Sequence, residues 1–145
     1  MGKPEPPSLD VANRELLLQA FAAFQQGAQT ADWASYFALM SEDYCFWYPL
    51  PGPYLGKNEG KARAVTYFTE ASKAIRSTFK APYRRAFGVG AGGASWAVFE
   101  CEVEGAIEGV AFTNRVAVSF DAVAGRLTGH REYIGDVAPF MAPAG

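Results

Sequence analysis

Large apolar residues recur at helical spacing in three segments of the first half of the chain. The first predicted helix runs from an N-cap at Ser8 to about Gln26, and Gly27 would end it. A second, shorter helix follows a cap at Asp32, and a third starts at Asn58 or Glu59. The apolar stripes of the three helices are Leu17, Phe21, Phe24 and Ala28, then Trp33, Tyr36, Phe37 and Met40, then Val65, Phe68, Ser72 and Ile75.

The second half of the chain alternates apolar and polar residues at period two, which is typical of strands. Strands are predicted at about 78–89, 95–104, 110–120 and 126–134, separated by glycine-containing turns. The aromatic segment 44–48 predicts one earlier strand, and the prolines of 49–53 would end it. Helices that precede an antiparallel run of strands indicate an α+β fold with the helices on one face of the sheet.

The length fits one domain, 1–145, with a flexible lead at 1–7 and a tail at 136–145. Three apolar residues of the tail could fold back as a lid or an interface: Val137, Phe140 and Met141.

Two central strands carry clear inward and outward faces. Phe99, Cys101 and Val103 alternate with three glutamates, so the apolar set is expected to face the interior. The next strand places Asn114 on an otherwise apolar face that includes Val116. Because a buried amide without partners costs about 1–3 kcal/mol, Asn114 either bonds to backbone or serves a ligand. Both alternatives are open.

The last strand holds the single histidine of the chain, His130, two residues from Glu132. Residues two apart on a strand share a face, so these two and Ile134 are expected on one side, with Leu127, Gly129, Arg131 and Tyr133 on the other. An imidazole beside a carboxyl group suggests proton transfer on a small molecule. A solvated salt bridge at a sheet edge is the alternative.

Composition narrows the function classes. The chain is 14% aromatic, which exceeds what a core of this size needs and favours an apolar cavity or a subunit interface. The net charge of −2, with scattered basic residues, predicts no nucleic-acid partner. The segment 88–93 matches a dinucleotide-binding glycine pattern but precedes a strand, so we interpret it as a hairpin turn.

Two cysteines and one histidine are too few for a metal cage, so neither metal nor cofactor is expected. The sequence shows no signal peptide and no membrane span, and we expect a cytoplasmic protein with no membrane partner.

These patterns together predict one apolar pocket. Its candidate catalytic residues are Glu132, His130 and Asn114. The inward residues of the first strand are taken to be Cys45 and Trp47. The expected wall residues are Trp47, Cys45, Trp33, Phe37, Met40, Phe99, Cys101, Val103, Val116, Ile134 and Phe140.

Two stretches resemble a known family. The proline-rich exit from the first strand, residues 47–56, and the ending Gly125-Arg-Leu-Thr-Gly-His-Arg-Glu-Tyr133 are similar to SnoaL-like and limonene-epoxide-hydrolase-like proteins of the nuclear-transport-factor-2-like superfamily. The resemblance extends from about Leu9 to Phe140. It implies a cone-shaped α+β fold, in which N-terminal helices pack on a curved mixed or antiparallel sheet that encloses a pocket.

The resemblance also implies roles. The acid of the final strand takes part in proton transfer in these relatives, and Glu132 holds that position where aspartate is usual. The epoxide hydrolase needs an Arg-x-Asp pair and a tyrosine with an asparagine; these fall at Phe99 and Cys101 and at Cys45 and Trp47. Epoxide hydrolysis of that type is therefore unsupported. Ketosteroid isomerase needs a tyrosine and a protonated aspartate; Tyr36 or Tyr44 could supply the phenol, but no aspartate is evident.

The expected function is a cyclase or isomerase of natural-product metabolism, acting on a small apolar or polyketide-like substrate. A non-catalytic binding or dimerisation module and an epoxide hydrolase with different water ligands are the alternatives. Relatives commonly pair through the outer sheet face, so a homodimer is expected near Arg115, Arg131 and Tyr133.

Overall fold

Three helices cover one face of a seven-stranded mixed sheet in the computed structural model, which describes residues 11–141. The elements are α1 (Val11–Thr30), α2 (Ala34–Phe37), β1 (Met40–Tyr48), β2 (Gly56–Glu59), α3 (Lys61–Ala71), β3 (Ile75–Phe79), β4 (Arg84–Val89), β5 (Ser95–Ile107), β6 (Val110–Val123) and β7 (Arg126–Ile134). Short 3-10 helices lie at Ala91–Gly93 and Ala138–Phe140. The predicted α+β class is confirmed, whereas the Ser8 cap, the lead and the last tail residues lie outside the described residues.

The sheet order is β2-β1-β7-β6-β5-β3, and β4 also pairs with β5. Only the β1–β7 pair is parallel among the described strands. The long strand β5 pairs with β4 along its first half and with β3 along its last five residues. Since β7 lies between β1 and β6, the histidine strand is central in the sheet.

Several predicted boundaries differ from the observed ones. The segment predicted as one strand at 78–89 forms two, because Pro82 supplies no backbone donor and the chain leaves the ladder around it. The third helix is shorter than predicted, since its first residues form β2 and Ile75 begins β3. Met40, predicted on the second helix, begins β1.

Gly27 does not end the first helix. It lies inside α1, and a Cβ atom there would come within 2.2 Å of the Trp33 ring. The glycine therefore allows the indole to pack against the helix backbone. The helix ends at Thr30, and Ala31 follows with a positive φ of 66°.

The core lies between α1 and the inner faces of β5, β6 and β7. Phe21 stacks on Phe99 with ring centroids 4.3 Å apart, and Phe24 meets Phe120 edge-on at 5.7 Å. Cys101 and Val103 are buried as predicted, while the alternating glutamates lie outside, where Glu100 pairs with Arg84 and Glu104 pairs with Lys80. The predicted faces of β5 and β6 are confirmed.

The predicted face of β1 is wrong. Tyr44 and Phe46 are fully buried on the inner side, whereas Cys45 and Trp47 face outward. The Arg131 guanidinium lies 4.1 Å from the Trp47 ring centroid on that outer face. Every residue of 44–48 is aromatic or apolar, so no polar side chain marks the outward positions, and pairing with β7 fixes the face instead.

Leu127 also lies on the face opposite to the predicted one. The β6–β7 register shifts between Asp121 and Ala122, which pair with Gly129 and Leu127 respectively. The extra residue, Thr128, turns Leu127 inward, and its side chain is fully buried in the same core that holds His130.

None of the helices described for residues 11–141 combines the length and apolar character that crossing a membrane requires.

Candidate active site

An apolar pocket opens where the strand ends meet α3 and the C-terminal segment. Its volume is about 90 Å³. Its floor and walls come from α1, α3 and all strands except β2 and β4, and Phe140 closes one side. Glu132 is the only residue with a formal charge at neutral pH among the described lining residues. The carboxyl group of Glu132 is therefore the main source of charge in a hydrophobic cavity.

Glu132 stands beside a buried imidazole. The Nε2 atom of His130 lies 3.1 Å from a Glu132 oxygen, and the two side chains are 2% and 16% exposed. The carboxyl oxygen is near enough for a hydrogen bond but off the direction of the ring N–H, so neither ring nitrogen has a well-directed partner among the described residues. A small rotation of the carboxyl group would complete the bond.

Aromatic rings enclose the imidazole. The ring centroids of Phe24, Phe68 and Phe120 lie 5.1, 5.7 and 5.8 Å from that of His130. This surrounding fixes the ring plane and keeps water from its nitrogens. Of the pair, Glu132 reaches the pocket, while His130 lies behind it and contacts it from the core.

Four tyrosines lie close enough to Glu132 for electrostatic interaction with its carboxyl group. Tyr48 and Tyr67 line the pocket, with ring centroids 5.2 Å apart. Tyr36 and Tyr44 are fully buried, with hydroxyl oxygens 2.7 Å apart. Burial raises the pKa of all four phenols, and the Glu132 carboxylate raises each pKa further. These phenols consequently remain hydrogen-bond donors at neutral pH.

Asn114 makes structural bonds only. Its Nδ2 donates to the Asp136 carbonyl oxygen at 2.7 Å, and its Oδ1 accepts from the backbone N–H groups of Arg115 and Asp136, each at 2.9 Å. It does not line the apolar pocket. Of the two sequence-based alternatives, the structure shows the backbone one, because the turn after β7 brings its peptide groups to the amide.

Comparison with solved structures identifies the family. An NTF2-like protein from Anabaena variabilis ATCC 29413 is 31% identical, with 91% of this chain and 96% of that chain covered and a TM-score of 0.78. This chain belongs to the NTF2-like family. No family model and no curated protein matches it.

More distant structures share the NTF2-like fold. A proposed isomerase from Bacillus subtilis is 22% identical, covers 88% of this chain and 94% of its own, and has a TM-score of 0.67. A limonene-epoxide-hydrolase-like epoxide hydrolase from M. tuberculosis is also 22% identical, with 86% of each chain covered and a TM-score of 0.61. A proposed polyketide cyclase from Pseudomonas putida is 15% identical, covers 83% of this chain and 92% of its own, and has a TM-score of 0.59. The predicted superfamily and cone-like α+β fold are confirmed.

The structure places five of the eleven predicted wall residues of this NTF2-like protein at the pocket: Trp33, Val103, Val116, Ile134 and Phe140.

Six predicted wall residues lie elsewhere. Met40, Phe99 and Cys101 are buried in the core, and Phe37 packs against the core from its edge. Burial raises the pKa of the Cys101 thiol to about 11, so it remains a neutral thiol at pH 7. The remaining two, Cys45 and Trp47, lie on the outer face of the sheet as described above. Their displacement follows from the reversed face of β1.

The NTF2-like pocket contains residues that the sequence pattern did not single out. Tyr67 projects from α3 beside Phe68, and Tyr48 is the last residue of β1. The adjacent aromatic pair at 67–68 was the available signal, since one buried stripe of α3 needs only one of them. Phe112, at the start of β6, closes the side near Phe140.

The observed inward face of β1 does not provide an epoxide hydrolase site of the known type. Tyr44 and Tyr48 face inward, so β1 presents phenols to the interior in place of the predicted Cys45 and Trp47. On β5, however, the inward residues are Phe99 and Cys101, and the expected arginine and aspartate are missing there. The charged pair of that mechanism therefore has no counterpart on this strand.

Proposed function

We propose that this protein is a small-molecule isomerase or cyclase in which Glu132 transfers a proton at the wall of an apolar pocket. The single carboxyl group in the pocket, backed by a buried imidazole 3.1 Å away, is the observation that carries the proposal. Glu132 is 16% exposed at the pocket wall, so a proton that it takes up can return to the bound molecule or exchange with solvent.

The chemistry that suits this geometry is enolisation. Glu132 removes a proton from the carbon next to a carbonyl group, and the electron pair of the C–H bond moves toward the carbonyl oxygen. We assign to the hydroxyls of Tyr48 and Tyr67, which line the pocket and stay protonated, the role of donating a hydrogen bond to that oxygen as it gains charge. Where the enolate is conjugated with a C=C bond, return of the proton to the far carbon gives an isomer. Attack of the enolate on a second carbonyl carbon closes a ring, and the alkoxide that forms takes the proton back from Glu132.

His130 acts behind Glu132 in this scheme. In this scheme the carboxyl group, 3.1 Å from Nε2, turns to accept a hydrogen bond from a Nε2–H group, which then orients the carboxylate and stabilises its charged form. The Phe rings around the imidazole prevent it from turning away. We therefore assign His130 a positioning role and Glu132 the proton transfer.

The names of the more distant structures support this choice. Isomerase and cyclase are both proposed activities of proteins with this fold, and an enolate formed by a carboxylate base is one route to either kind of product. The pocket volume of about 90 Å³ favours a compact apolar carbonyl compound, such as one ring of a polyketide-like or terpenoid-like intermediate.

The test is exchange of the α-hydrogens of cyclohexanone for deuterium in D₂O, followed by proton NMR. The wild-type protein should accelerate exchange over buffer, and Glu132→Gln should lower that acceleration by about 10²–10⁴-fold. Glu102→Gln, on the outer face of β5, is the matched control and should exchange at the wild-type rate. Equal rates for Glu132→Gln and wild type would exclude Glu132 as the proton carrier.

A non-catalytic binding module is the second candidate, favoured by the scarcity of polar groups in the pocket. It predicts that cyclohexanone binds, with shifted NMR signals, while its exchange rate equals that in buffer. The same experiment therefore separates the two functions.

We also propose a homodimer formed through the outer sheet face. Tyr133 is 59% exposed there, next to the Arg131 guanidinium that covers Trp47. Light scattering after gel filtration should give twice the chain mass of 15.6 kDa, and Tyr133→Glu should shift it toward one chain. A wild-type mass of one chain at micromolar concentration would contradict this.

A further inference from the structure

We propose that residues 135–141 form a latched wall of the pocket, and that Phe140 on this wall restricts the site to ligands of about one six-membered ring. The inference rests on the proposed small-molecule function and adds to it the size class of the ligand. The hydrogen bonds that hold this segment, most of them made by Asn114, are called the latch, and Phe140 is the size-determining residue.

The latch is a set of directed hydrogen bonds. Asn114, only 9% exposed, both donates to the Asp136 carbonyl oxygen and accepts from the Asp136 N–H, at 2.7 and 2.9 Å. The Gly135 N–H donates to the Arg115 carbonyl oxygen at 2.8 Å. A side chain on residue 135 would crowd that oxygen, because a Cβ atom would lie 2.9 Å from it. The chain after β7 is therefore held against the start of β6.

The latch determines where Phe140 lies. Asp136 accepts from the Ala138 N–H at 3.0 Å, which starts the short 3-10 helix Ala138–Phe140. This helix brings the Phe140 ring to 5.3 Å from the Phe112 ring, edge-on, and both rings line the pocket. Phe140 thus forms part of the pocket wall because hydrogen bonds from Asn114, on β6, hold the segment that carries it.

The space left inside is small. Sites for drug-sized ligands measure about 300–1,000 Å³, and an apolar cavity of about 150 Å³ admits benzene. The present pocket of about 90 Å³, open on one side, accommodates one ring partly enclosed. Its few polar lining residues are Glu132, Tyr48, Tyr67, Ser72 and Ser77, so the ligand class is a single apolar ring with one carbonyl or hydroxyl group.

Binding of fluorinated probes tests the size limit by ¹⁹F NMR. The probes are 4-fluorophenol, with one ring, and 6-fluoro-2-naphthol, with two. The wild-type protein should bind the one-ring probe at least tenfold more tightly than the two-ring probe. Phe140→Ala should tighten binding of the two-ring probe at least tenfold, and Asn114→Ala should change the ratio in the same direction.

Val137→Ala is the matched control, because Val137 is on the same segment, 43% exposed and away from the pocket lining. It should keep the wild-type ratio. Phe140→Leu, which preserves an apolar side chain, provides an intermediate size if Asn114→Ala fails to fold by circular dichroism, and its ratio should fall between those of wild type and Phe140→Ala.

Three results would overturn the inference: equal affinity of the wild-type protein for both probes, an unchanged ratio in Phe140→Ala, or no binding of either probe to any variant. The proposed catalytic role fails separately. Glu132→Gln should keep the wild-type ratio of one-ring to two-ring affinity whether or not it loses exchange activity. An altered affinity ratio in the Phe140 variants therefore tests the size limit, and the exchange rate of Glu132→Gln tests the catalytic role.

Discussion

Removing one hydroxyl of the buried tyrosine pair should lower the free energy of unfolding at least as much as removing both hydroxyls. Tyr36 and Tyr44 are each 0% exposed, and their hydroxyl oxygens are 2.7 Å apart. Tyr36→Phe keeps the ring, so no cavity of consequence forms, but the Tyr44 hydroxyl loses its partner. A buried hydroxyl without a partner costs about 1–3 kcal/mol. The reverse substitution, Tyr44→Phe, should cost a similar amount.

The double variant should lose less stability than the two single variants lose together. With both hydroxyls absent no polar group is stranded, so the double variant should cost no more than either single one. Urea unfolding followed by fluorescence measures all four proteins. At a slope of about 2 kcal/mol per molar urea, a loss of about 2 kcal/mol moves the midpoint by about 1 M. Strictly additive losses, or single variants as stable as wild type, would refute a coupled buried pair.

Three further predictions concern pH, packing and the bulge. Burial raises the pKa of Tyr36 and Tyr44 above the ordinary value of 10.0, so the unfolded chain loses these protons first as pH rises. The stability that they contribute is complete below pH 10 and is lost above it, by about 1.4 kcal/mol per pH unit for each phenol, as unfolding at pH 9 and pH 11 should show. Gly27→Ala should destabilise by about 1–3 kcal/mol despite its better helix propensity, because the new methyl group meets the Trp33 ring; thermal unfolding checks this, and an increased melting temperature would contradict it. Leu127→Ala should cost about 2–5 kcal/mol in urea unfolding, since Leu127 is fully buried, whereas a loss under about 0.5 kcal/mol would show that the bulge does not turn Leu127 inward.

The strands β5, β6 and β7 show how far local pattern reaches. From Phe99 to Glu104 in β5 apolar residues alternate with glutamates, and most of β6 alternates in the same way. A strand has only two faces, so this alternation fixes which residues enter the core. The same reasoning correctly brings His130 and Glu132 together on one face of β7. It fails at Leu127, because a bulge of one residue changes the face without changing the composition.

The first strand shows the opposite case. Residues 44–48 offer no polar reference, so either face could be buried as far as sequence is concerned. Parallel pairing with β7 sets Phe46 beside His130 and thereby turns Tyr44 and Tyr48 inward. The Tyr44 and Tyr48 phenols near Glu132 are a product of that register and were not predictable from periodicity.

The amino-acid order by itself determined the class of fold, the sides of the central strands and the pairing of an imidazole with an acid, since all of these depend on neighbours along the chain. Tertiary structure alone decided which tyrosines face Glu132, that Asn114 holds the segment after β7, and how small the pocket is. Those features join α3, β1, β6 and the C-terminal segment, and contacts between distant segments depend on register and packing that local spacing does not encode.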